Sequence, residues 1–182
     1  MQNKIQVPER SEVSENNQAL FDNLNSALGF VPNLYAVMAH SENGLANYLQ
    51  FQNAKSSLTK KEKEVINLVV SEVNECVYCQ SAHTVVGKLN GFSDEQILAI
   101  REGSAPFNEK LDALARLTKT ITINRGSVDE ETLAAFFEAG YDKGNLVDVV
   151  NAIADKVVMN YLFKITQIPI DFPLAPQLTK TV

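Results

Sequence analysis

Glu64–His83 reads EVINLVVSEVNECVYCQSAH, and it holds both cysteines of the 182-residue chain and one of its two histidines. In a helical reading Cys76, Cys79 and His83 stand at i, i+3 and i+7, within an arc of about 60°, so the three share one face. Asn74 is the predicted N-cap, which surrounds Cys76 with the unpaired N–H groups of a first helical turn and favours thiolate over thiol. His83, one turn beyond Cys79, stands as a base next to a nucleophile. On that proximity Cys79 is the attacking thiol and Cys76 its resolving partner; the reverse order, common among CxxC redox proteins, stays open.

Two other readings compete. Isolated buried cysteines serve as small hydrophobes, but burial alone does not explain the spacing. A zinc site lacks ligands, since one helical face cannot surround a tetrahedral ion and no second CxxC or HxxxH exists. No metal or other cofactor is therefore expected, and His40, the other histidine, is assigned to a helix end.

The chain is 45% hydrophobic, enough for one sizeable core in a single domain. Sixteen basic against 22 acidic residues give a formal charge of −6 and no basic patch, which argues against a nucleic-acid partner. The polar start MQNKIQVPERSEVSENNQ resembles neither a signal peptide nor a membrane anchor. A cytoplasmic protein without membrane partners is expected, and in a reducing compartment a CxxC pair reads as redox-active.

Around the central stretch the periodicity is helical throughout. Residues 1–15 are expected to be a flexible arm, 16–168 a helical domain and 169–182 an extended tail. Helices are predicted from Asn16 to Leu28, from Pro32, over Leu45–Ser56, from a Thr59/Glu62 capping box, through the cysteines to Gly91, after a Ser93/Gln96 box, from Asn108, after a Ser127/Glu130 cap, and from Asn145 to Thr166. On the central helix Glu72 falls inside the apolar stripe while Glu64 lies at its edge, so periodicity nominates Glu72 as the odd buried acid. Three prolines punctuate the tail IPIDFPLAP, whose apolar residues call for a surface to pack on. Gly91, Phe92, Ile97 and Ile100 also align with Gly140, Tyr141, Leu146 and Val149 at a constant offset, a faint internal duplication.

The pattern Glu64, Asn74, Cys76, Cys79 and His83 resembles the alkylhydroperoxidase D and carboxymuconolactone decarboxylase superfamily, in particular its CxxC-bearing, peroxidase-related branch. The DFP element at Asp171–Pro173 is similar to the same branch. The resemblance implies an all-α, alkylhydroperoxidase D-like fold and assembly as a homo-oligomer, a trimer or hexamer. It also implies that Cys79 attacks a hydroperoxide, that Cys76 closes the disulfide, and that His83 and Glu64 relay protons, in preference to Glu72. One departure stands out: alkylhydroperoxidase D has a relay histidine immediately before the second cysteine, and Tyr78 occupies that place here.

The function expected is that of a thiol-dependent peroxidase acting on small organic hydroperoxides, with an external dithiol or disulfide reductase as electron donor. A disulfide reductase or redox adaptor serving a separate peroxidase is the alternative. A carboxymuconolactone-decarboxylase-like lyase has no use for a vicinal dithiol beside a base, and a non-catalytic oligomeric binding protein needs only thiols of ordinary reactivity.

Overall fold

The computed structural model describes residues 5–178, which contain helices and irregular segments and no strand. They group into two compact units, one running to Lys55 and including Tyr161–Asp171, the other comprising Ser56–Asn160 and the chain from Phe172.

The first unit contains α1 (Glu15–Leu28), α2 (Asn33–Met38) and α3 (Gly44–Gln52). Within the arm a 3-10 turn forms at Arg10–Glu12, and Arg10 pairs with Asp22 at 2.7 Å; residues 1–4 lie outside the described part. Pro32, at the N-cap of α2, offers no side-chain acceptor, and Asp171 supplies one by accepting the Asn33 N–H at 2.7 Å. The aspartate of the DFP element is thus a helix cap.

The second unit is built on α4 (Lys60–Val73), which packs against α5 (Val77–Leu89), α6 (Asp94–Arg101) and α7 (Glu109–Ile123). Val65, Ile66, Leu68, Val69 and Val70 of α4 are completely buried, and each contributes roughly 1.5–3 kcal/mol by leaving water. The Thr59/Glu62 box starts this helix as predicted, and the Ser93/Gln96 box starts α6. α8 (Glu130–Glu138) and α9 (Lys143–Thr166) follow.

Two predicted caps are corrected. Asp129, not Ser127, caps α8, accepting the Thr132 N–H at 2.7 Å, because its side chain sits at the correct distance from that amide. The second correction falls at the cysteines, where Asn74 ends α4 and Cys76 itself caps α5. Between them Glu75 takes a left-handed conformation, φ 51°, a conformation that costs a non-glycine residue about 1–3 kcal/mol.

The internal duplication has a counterpart in conformation. Gly91 and Gly140 both turn left-handed, at φ 85° and 90°, and each is followed by a buried aromatic, Phe92 or Tyr141, before the next helix.

Candidate functional site

The four residues singled out by the sequence form two bonded pairs. His83 Nδ1 lies 2.7 Å from Glu64 Oε1, joining α5 to α4, and Asn67 Nδ2 donates to the other carboxylate oxygen at 3.3 Å. Glu64 is nearly inaccessible, with 3% of its side chain exposed, whereas His83 retains 14%, so the pair connects a buried carboxylate to a ring that water can reach. Asn67 was not singled out; its place one turn after Glu64 was the available signal.

Cys76 and Cys79 are free thiols with their sulfurs 2.7 Å apart, both buried. The turn before α5 is fixed by the Cys76 N–H, which donates to Ser71 O at 2.9 Å. That turn places Cys76 Sγ where a capping side chain belongs, and the Cys79 N–H donates to it at 3.3 Å. An N–H aimed at Cys76 Sγ stabilises negative charge there, so charge is favoured on Cys76 and the proton on Cys79. The donated Cys79 thiol holds Cys76 below the ordinary thiol range, against the penalty of burial and with help from the Cys79 N–H, the Asn160 amide and the charge of Lys156. The Cys79 thiol is pushed far up, first by its bond to Cys76, then by burial and by the neighbouring charge. The pair as a unit gives up one proton readily and holds the second.

His83 bonds Glu64 rather than a sulfur. The Cys79 assignment, made on nearness to His83, therefore meets a site whose capping bonds favour negative charge on Cys76. One proton crossing between sulfurs 2.7 Å apart is all that separates the two descriptions.

Lys156 and Asn160 are the residues that sequence reading missed. Both lie on α9, buried to 3% and 0% exposure, and Asn74 Nδ2 donates to Asn160 Oδ1 at 2.9 Å. The signal was present: Val149, Ile153, Lys156, Asn160 and Phe163 repeat at four and three along α9 and are all buried. A lysine and an asparagine in an apolar seam call for partners: Asn74 donates to Asn160, Lys156 lies 3.8 Å from Asp155, and the lysine's charge favours thiolate at the cysteines.

Glu72, the acid nominated by periodicity, lies elsewhere. Arg101, whose side chain is 2% exposed, donates to it from Nε at 2.9 Å and Nη2 at 2.8 Å, and from Nη1 to the carbonyl of Pro176 at 2.7 Å. The tail is anchored there and at two further points. The Ala175 N–H donates to Ser81 Oγ at 3.1 Å, and Phe172 meets the edge of the Tyr78 ring with centroids 5.6 Å apart. Tyr78, in the place of a relay histidine, thus packs against the tail.

Residues 40–119 match the model of the carboxymuconolactone decarboxylase family. An uncharacterized peroxidase-related protein from Ralstonia eutropha JMP134, described as an alkylhydroperoxidase AhpD core, superposes with TM-score 0.80 at 20% identity, over 89% of this chain and 88% of its own. The family match covers less than half of the chain, and at this identity the superposition shows a shared all-helical fold. Among further structures with that fold, a peroxidase-related protein from Silicibacter sp. TM1040 gives TM-score 0.78 at 19% identity, over 93% of this chain and 89% of its own. The debrominase Bmp8 in complex with 2,3,4-tribromopyrrole gives 0.76 at 18%, over 94% and 93%. No curated protein matches the chain. Among the described residues no helix is long and apolar enough to cross a membrane.

Proposed function

We propose that this chain is a member of the alkylhydroperoxidase D and carboxymuconolactone decarboxylase superfamily and a thiol-dependent peroxidase of its CxxC-bearing branch, reducing small organic hydroperoxides through Cys79 and Cys76. The observation that carries the reading is the pair of free thiols with sulfurs 2.7 Å apart, together with the His83–Glu64 pair. Cys79 enters as thiolate when its proton crosses to Cys76, and it attacks the terminal peroxide oxygen. The O–O bond breaks, an S–O bond forms, and the departing alkoxide takes a proton from the His83 relay to leave as alcohol. Cys76 then displaces hydroxide from the sulfenic acid; with the Cys76 proton this departs as water and leaves a disulfide. An external dithiol returns both electrons and both protons.

The test is peroxide consumption with a dithiol donor. Wild type should turn over, Cys79→Ser should be inert, and Cys76→Ser should undergo one oxidation per chain and stop at the sulfenic acid or a mixed disulfide. Consumption only when a separate peroxidase is added selects the redox-adaptor reading. Because a debrominase shares the fold, a brominated pyrrole belongs in the same assay; debromination without peroxide consumption would replace the peroxidase reading.

The chain further acts, in this reading, as a homo-oligomer. Val147, Val150, Ala154 and Val158 form an exposed apolar stripe along α9, and a second copy of the chain is the partner that would cover it. Light scattering on wild type and Val150→Glu tests this: wild type should be an oligomer that the variant weakens, and a wild-type monomer at micromolar concentration refutes it.

A further inference from the structure

We propose that Asn160 is a catalytic hydrogen-bond donor of this site, aimed at the paired sulfurs by Asn74 and holding the single negative charge they share. Its amide is completely buried, and Asn74 Nδ2 donates to its Oδ1 at 2.9 Å, which turns the NH2 group away from Asn74. Among the described residues Nδ2 meets no partner in good hydrogen-bond geometry, although the amide lies within bonding reach of both Cys76 and Cys79. A buried donor without a well-aligned acceptor is costly in a folded protein, and an active site is where such a donor has a use. Its acceptor here is charge on sulfur. Lys156, one helical turn earlier and buried beside Asp155 at 3.8 Å, adds a positive charge on the same seam of α9.

The inference deepens the peroxidase reading but is tested without peroxide, so either can fail alone. Thiolate is read at neutral pH from its ultraviolet absorbance and from the alkylation rate of the reduced protein by iodoacetamide. Asn160→Ala and Asn160→Ser leave nearly equal cavities and both release Asn74, but only serine offers an O–H donor. Loss of a hydrogen bond to a charged group should lower the thiolate fraction about ten- to a hundred-fold in Asn160→Ala, with Asn160→Ser retaining a clear part of the signal. Circular dichroism confirms that each variant is folded. If Asn160→Ala keeps the wild-type thiolate signal, or the two variants cannot be told apart, the donor role is overturned. Asn74→Ala leaves Asn160 in place and only frees its amide to turn; it should lose a smaller part of the signal, and an unchanged signal there removes the aiming role.

Discussion

Glu64 and Glu72 stand eight residues apart on one helix and do different work. Glu64 meets His83, the proposed proton relay, whose ring water can reach. Glu72 meets Arg101, which donates to it from two guanidinium nitrogens, and that pair holds. What it holds is the tail, through the Pro176 carbonyl. The periodicity of a helix can reveal an acid in an unusual place, but the partner's chemistry decides whether that acid carries protons or carries load.

Among changes at the two acids and their partners, the largest effect should come from His83→Ala. Turnover at neutral pH should fall about 10² to 10⁴-fold, with partial recovery at alkaline pH where the thiol ionises unaided, as steady-state rates across pH would show. The folding midpoint should move little by comparison. Glu72→Gln should reverse this pattern. It leaves the buried Arg101 without its counter-charge, and denaturant unfolding should show a loss of about 3 kcal/mol while turnover per folded molecule survives. A crippled Glu72→Gln beside an intact Glu64→Gln would exchange the two roles.

Glu64→Gln is the milder change at the proton end. The amide still accepts a bond from the imidazole but takes up no proton, so the expected loss is on the order of tenfold in kcat with KM unchanged. The smallest effect belongs to Thr59→Ala, which removes the cap of the helix carrying both acids. It should cost about 1 kcal/mol of stability and leave both the rate and its pH profile as they were. A shift in that profile would mean that the two ends of α4 are coupled.

The all-helical fold and the Cys76, Cys79, His83 cluster were legible because their signals are local: apolar periodicity, capping boxes, and a spacing that puts reactive groups on one face; Glu64 came from the family resemblance, since periodicity pointed to Glu72. The Asn74 cap was misread because propensity favours asparagine at that position, whereas the left-handed turn at Glu75 moves the helix start to Cys76. Arg101 could not be paired with Glu72 from sequence, since 29 residues separate them and no local rule reaches that far. Lys156 and Asn160 were legible in principle, as polar residues in a buried four-three repeat, but a repeat does not say which neighbour waits opposite. The tail's need for a surface followed from its composition, and its anchors at Ser81, Arg101 and Tyr78 did not.

The distance along the chain between the CxxC and Asn160 also sets a schedule. A ribosome adding about 5–20 residues per second makes Cys79 roughly 80 residues before Asn160, so several seconds pass before the amide exists, and longer before the tail reaches Ser81 and Arg101. During that interval the cysteines belong to an unfinished chain, without Asn160 or Lys156 beside them, and they have the reactivity of ordinary thiols. The reactivity of the dithiol therefore arrives only once α9 has been made, and a nascent chain halted before α9 should meet oxidants no faster than any other exposed cysteine.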